Sequence, residues 1–214
     1  MSNRQIGASV LASIACFLAL YGIAIVLYPG GTWFDRHAAG YDLWRNFVCD
    51  LTQPIALDGR PNPGALFGKA SMLAFDAGLS LSFLGTLRLG SPSPGFARVI
   101  RLLSLVSFVG IAAVPLLPSL VFGALHSVAV LCGATAGLFA GGFCIAVQRR
   151  GHRRIATLGV VMFAAAFVDA GIYAWSVAAV ATPLALPVIQ RLALVLILAW
   201  LIAIGAALLS AEAA

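Results

Sequence analysis

Charged side chains are scarce in this chain. Lys, Arg, Asp and Glu make up 9% of its 214 residues, against roughly 25% in an ordinary soluble domain. With 62% hydrophobic residues and a mean hydropathy of +1.03, a water-soluble fold is excluded. Histidine is almost as rare, with three residues in all. Under the topology derived below, His152 lies on the opposite side from His37 and His126, so a three-histidine zinc site is excluded, and two facing intramembrane histidines for haem are missing. The four cysteines form no CxxC pair or metal spacing: Cys16, Cys132 and Cys144 sit in apolar runs and Cys49 stands alone in a loop. Neither a disulfide framework nor a metal or other cofactor is indicated. No nucleophile–base–orienter set is apparent, nor an internal repeat of the transporter kind.

What is present is long apolar runs. Crossing the hydrocarbon takes about 20 mostly apolar residues, and six segments qualify, at about 6–28, 64–88, 98–117, 120–147, 155–180 and 187–210. The first is too long for a signal-peptide core of about 7–15 residues and ends in Tyr28-Pro29-Gly30-Gly31 instead of a small-residue cleavage site, so it reads as a retained anchor. Turn chemistry punctuates the gaps: the Gly- and Pro-rich stretch from Gly90 to Gly95, Pro115 and Pro118, the basic run from Arg149 to Arg154, and Pro183 with Pro187. The expected fold is all-α: one domain over 1–214, a polytopic bundle of six transmembrane helices.

The formal net charge of +6 does not indicate nucleic acid, because the basic residues follow topology. Arg4, Arg88, Arg98, Arg101, Arg149, Arg150, Arg153 and Arg154 share one side under the six-span count. Asp35, Asp42, Asp50 and Asp58 fall on the other with Arg36, Arg45 and Arg60. Short cytoplasmic loops carry the excess of Lys and Arg, which places both termini in the cytoplasm and the loop from Pro29 to Pro63 outside.

That loop exceeds the usual 12–15 residues of a structureless connection. Tyr41, Trp44, Phe47, Val48 and Leu51 recur at helical spacing, with Asp42, Arg45, Asn46, Cys49 and Asp50 on the other face. The pattern predicts a short amphipathic helix at the outer interface. Trp33, Tyr41 and Trp44 suit an aromatic belt. Two roles are open for this helix: a lid over the bundle, or a carrier aiming Arg45, Asn46 and Asp50 into a pocket beneath. Asn62 and Pro63 are placed to cap the second span.

Five ionisable groups interrupt the apolar runs: Lys69, Asp76, His126, Asp169 and Arg191. A charge near the bilayer centre costs at least about 2.5–3.5 kcal/mol, and such groups face a bundle interior or polar cavity. By residue count Lys69, His126 and Arg191 lie about 8–9 Å inside the outer surface, with Asp76 and Asp169 near mid-membrane. A basic tier above two acids suits an outward-open polar pocket for an anionic group, such as a phospholipid headgroup. Lys69 and Arg191 are long enough to snorkel outward; the short acids are not. Asp76 therefore needs a partner, with Arg191, His126 and a protonated Asp169 as candidates. His126 shares a face with Gly133 and Gly137, which with Gly141 form a ladder for close helix approach.

Three outer-loop strings carry a resemblance: Tyr28-Pro-Gly-Gly-Thr32, Gly40-Tyr-Asp-Leu-Trp-Arg-Asn-Phe-Val-Cys-Asp-Leu51 and Gly59-Arg-Pro-Asn62. The chain resembles the prokaryotic six-span membrane family catalogued as domain of unknown function 998, and is more distantly similar to DRAM-type membrane proteins. The resemblance implies a multi-pass protein of a bacterial or archaeal cytoplasmic (inner) membrane, an Asn-Phe-x-Ser-Asp-Leu-like loop motif at Asn46–Leu51 and the early fourth-span histidine at His126. Cys49 stands where that motif has serine, and Pro115–Pro118 lacks an acid often found there. The family has no settled activity, so no reaction is implied.

Three functions follow as expectations. The leading one is lipid or amphiphile binding in the outer pocket, with membrane lipids as partners. The second is a hydrolase or transferase using His126 with Asp76, Asp50 or Asp169. The third is an accessory subunit docking other membrane proteins through the Gly133/Gly137/Gly141 face.

Overall fold

The computed structural model describes residues 1–211, and among them every long element is helical. Six helices are long and apolar enough to cross a membrane: α1 (Asn3–Leu27), α2 (Ala65–Gly90), α3 (Pro94–Leu116), α5 (Ala124–Gln148), α6 (Arg153–Ala179) and α7 (Leu186–Ser210), with a single-turn α4 (Ser119–Phe122) between α3 and α5. The chain is an integral membrane helical bundle. Alternation puts the long loop, α4 and the α6–α7 connection at one end, called here the loop end. The α2–α3 and α5–α6 connections share the other, the arginine end.

Local chemistry sets the boundaries. A capping box opens α1: Gln5 N donates to Ser2 Oγ at 3.2 Å and Ser2 N to Gln5 Oε1 at 2.8 Å. Pro94 occupies the first turn of α3, where its missing N–H costs nothing. The expected fourth span does not run unbroken from residue 120. Pro118 ends α3, α4 makes one turn, and Gly123, at φ 49° and ψ −117°, bends the chain before α5 begins. Few residues other than glycine tolerate that backbone.

Glycines let the helices close on one another. Cβ atoms added at Gly7 and Gly133 would each fall 2.7 Å from backbone atoms, Gly205 O on α7 and Ile111 N on α3 respectively. Small residues are how helices in lipid gain close packing. α3 of the same chain thus covers Gly133 and Gly137, and Gly141 faces Phe83 and Met162. The ladder is not the free face that docking a separate subunit would need.

The main core lies toward the arginine end. Trp200, Phe83, Ile100, Cys144, Ile204 and Leu208 are buried there. A polar chain joins three helices through it: Trp200 Nε1 donates to Gln148 Oε1 (3.1 Å), and Gln148 Nε2 to Thr86 Oγ1 (3.0 Å). All three residues are fully buried. A smaller cluster of Ala24, Tyr28, Leu51 and Ala56 sits beneath the loop. Between them α6 is loosely held: its buried residues are Ala156, Gly159 and Met162, all in its arginine-end half.

The loop departs from the predicted amphipathic helix. Residues 41–47 form a turn and an extended step, and the helical part is a 3-10 turn over Val48–Thr52. Side chains take the backbone groups a helix would use: Asp42 N donates to Asn46 Oδ1 (2.9 Å), Trp44 N to Asp42 Oδ1 (2.8 Å) and Phe47 N to Asp50 Oδ2 (2.8 Å). Asp and Asn compete with helical hydrogen bonding in this way. Asn46, Phe47, Asp50 and Leu51 are all buried, so the segment is a folded plug and not a two-faced surface helix.

Candidate functional site

Arg191, in the second turn of α7, is the centre of the loop end. It is only 8% exposed. Its Nη2 donates to the Asn46 carbonyl (2.8 Å) and to the Tyr41 hydroxyl, and its Nη1 to Gln190 Oε1 (3.2 Å). The guanidinium carbon lies 5.7 Å from the Tyr41 ring centroid. Tyr41 in turn donates to the Phe47 carbonyl (2.9 Å) and meets Tyr21 OH at 3.4 Å. Every one of these acceptors is neutral. Among the described residues the ion pairs are Arg45–Asp42 and Arg60–Asp58, so Arg191 has no carboxylate in contact. Its Nε has no partner at all.

Two carboxyls lie within electrostatic range of Arg191, Asp50 and Asp169. Asp50 is committed elsewhere: it accepts from Trp33 Nε1 (3.0 Å), Asn46 Nδ2 (3.1 Å) and Phe47 N. Burial pushes its carboxyl above the ordinary value, and these three donors with the Arg191 charge only partly offset that. Cys49, beside it, has its thiol pushed up by burial and by the Asp50 charge.

The plug is tied to the ends of four helices. Leu57 N donates to Tyr28 OH beyond α1 (3.1 Å), and Val48 N to Gln190 Oε1 on α7 (3.0 Å). Gln53 Nε2 donates to Ser119 Oγ on α4 (2.8 Å). Gly68 of α2 packs directly on the Leu51 backbone. Asn62 does not cap α2, whose N-cap is Gly64 with Pro63 outside the helix. It instead donates to the Leu51 and Gln53 carbonyls (3.2 and 2.9 Å) and accepts from Gly64 N (3.0 Å), knitting the plug to the helix entry.

The chain matches no family model, no curated protein and no solved structure. The site's own chemistry therefore carries the reading.

Of the nine residues singled out from the sequence, the structure gathers Arg191, Asn46 and Asp50, with Asp169 in range. Arg45 is exposed and pairs loosely with Asp42 at 3.8 Å. Lys69 is half-buried and makes no ion pair. His126 Nδ1 donates to the Leu117 carbonyl at 2.7 Å, holding the α3–α5 corner beside Pro118. Neither His126 nor any other residue hydrogen-bonds Asp76, whose two carboxyl oxygens are buried without a partner. No group of three or more His, Cys, Asp or Glu residues among the described residues could hold a metal ion.

Tyr41, Gln190, Trp33 and Tyr28 were missed as site residues. Tyr41 and Trp33 read as membrane-belt aromatics, and nothing in the sequence marks a hydroxyl or indole that folds inward. Gln190 was signalled only by its position next to Arg191.

Proposed function

We propose that this integral membrane protein binds the anionic headgroup of a membrane amphiphile at Arg191, beneath the loop plug. The observation that carries the reading is a buried guanidinium held wholly by neutral acceptors, with Nε free. Charge-assisted hydrogen bonds to phosphate or carboxylate are among the strongest Arg makes, and a buried charge without a contacting counterion favours acquiring one. An amphiphile's path is supported by α6, which has no buried residue from Phe163 to Ala179 while α5 and α7 flank it. A lipid chain can lie against that loop-end half of α6 while its headgroup reaches Arg191.

Native mass spectrometry of the protein from phosphatidylglycerol-containing nanodiscs tests the reading. One acidic lipid should be retained by the wild type and by Lys69→Ala, and lost in Arg191→Gln. Asp50→Asn, which loosens the plug but keeps the guanidinium, should retain it. Equal retention in Arg191→Gln, or no retained acidic lipid in the wild type, overturns the proposal.

The hydrolase reading has less support. The Nδ1 position of His126 is spent on a backbone carbonyl, and no carboxyl hydrogen-bonds the ring to orient it as a base.

A further inference from the structure

Far from the plug, three buried oxygen atoms lack any hydrogen-bond partner: Asp76 Oδ1, Asp76 Oδ2 and Ser107 Oγ. Asp76 is 0% exposed and Ser107 1%. They lie on the two helices of one hairpin and at one depth. Asp76 is fourteen residues before Gly90 at the end of α2, and Ser107 is thirteen after Pro94 at the start of α3. At 1.5 Å per residue both lie about 20 Å from the α2–α3 turn. Ser107 also faces α5, since a Cβ at Gly137 would fall 2.8 Å from its hydroxyl. Asp76 shares a helix face with Phe83, seven residues on, whose side chain reaches the α5 and α7 residues Gly141 and Trp200.

Buried polar atoms in native proteins are satisfied, and exceptions call for an occupant or a function. Among the described residues no cation pairs with the Asp76 carboxyl. Lys69, seven residues earlier on α2, lies about 10 Å away along the axis toward the loop end. The titratable and charged groups on the helices around it are engaged or distant. Tyr21 of α1 is bonded to Tyr41, His126 of α5 to Leu117, and Arg191 of α7 to the plug. Cys16 and Cys132 lie on the outside of the bundle, Cys144 contacts the Phe83 carbonyl, and Arg98 and Arg101 of α3 sit at the arginine end. Asp169 of α6 lies seven residues from Met162, which meets the Gly141 layer that Phe83 also meets. It is therefore level with Asp76, yet makes no contact with it.

We propose that Asp76 and Ser107 form a buried site for a small monovalent cation, taken up as sodium or as a proton with its water. A carboxylate in this setting needs a positive guest, and the chain supplies none. Three open oxygens give a water-sized guest the two to four polar partners it requires. Ser107 adds a neutral ligand that would coordinate sodium or bond the water of a proton.

Thermal melting in detergent separates the sources. One series exchanges sodium for choline at fixed pH and ionic strength; the other varies pH at fixed sodium. Asp50 titrates in the same pH series, so each response is read as the difference between the wild type and Asp76→Asn, which keeps the shape and removes the charge. That difference should appear in one of the two series, as a melting shift of several degrees that saturates. Ser107→Ala should weaken a sodium response about tenfold in midpoint and leave a proton response in place. If the wild type and Asp76→Asn respond alike to both sodium and pH, the site is not there. Size-exclusion profiles of both variants, matching the wild type, confirm that they fold.

Discussion

Asp50 holds the plug shut by accepting three buried donors, and that predicts an outsized cost for removing it. Each buried donor left unpaired costs about 1–3 kcal/mol, so Asp50→Ala should destabilise the loop end by at least about 3 kcal/mol. Trp33 and Asn46 would both lose a partner. The neighbouring Cys49 reports on it directly. A part-buried thiol with a raised pKa reacts slowly, so a membrane-impermeant maleimide should label Cys49 slowly in the wild type and faster in Asp50→Ala. The pH response has a definite sign. Because the folded-state value of Asp50 is raised, the folded protein keeps a proton that the unfolded chain has already released. Its contribution to stability is largest at or below the ordinary carboxylate value near about 4 and declines as pH rises toward the raised folded value. Melting temperatures across that window should fall with pH in the wild type and less steeply in Asp50→Asn. The sequence motif marked Asn46 and Asp50 as chemistry-bearing residues. It did not tell which way they face: helical spacing put them opposite the apolar residues and left both a lid and an inward-aimed carrier open, and their capture of backbone N–H groups turned them inward.

At the level of elements, six spans were legible because length and hydropathy are strong signals. Every helix end came within about four residues of its expected place, and the C-terminal ends within about two, the range over which assignment methods differ. The breaks at Gly123 and in the loop were not legible, since both depend on tertiary contacts that override a run of suitable residues. Helix contacts are where glycine content becomes predictive. Gly133→Leu should drive α3 from α5, because its Cβ would already meet the backbone of Gly110 and Ile111. Overpacking of this kind costs about 1–3 kcal/mol or more. Gly171→Ala, on the open half of α6 with nothing within 4 Å, should be neutral or raise the melting temperature, as Ala is the better helix former. Similar melting shifts for the two variants would show that α3–α5 is not packed as described.

Across the whole molecule the two ends are closed by different means. At the arginine end, glycine contacts and the Thr86–Gln148–Trp200 chain lock α2, α5 and α7 to each other. At the loop end α3 and α5 still meet closely at Gly110 and Gly133, and α1 and α2 at Ala24 and Gly64. There, however, the plug fills the space between helix ends and α6 is loosely held, the 3.4 Å Tyr173–Ser127 contact being a weak link to α5. Composition could not foresee this division, because glutamine, threonine and tryptophan in an apolar run carry no mark of being mutual partners. A double-mutant cycle measures how much the arginine end relies on the polar chain. Gln148→Leu leaves the Trp200 indole N–H buried without an acceptor, a loss of about 1–3 kcal/mol. In a Trp200→Phe background that donor is already gone, so the same substitution should cost less, with a coupling of about 0.5–1.5 kcal/mol, within the range for contacting polar side chains. Thr86 still donates to the Ser82 carbonyl at 3.0 Å in either background, so the coupling isolates the Gln148–Trp200 bond. Additive losses would mean the three helices are held by packing alone. A coupling in that range would show that the Gln148–Trp200 bond, beyond packing, holds α5 to α7 at the arginine end.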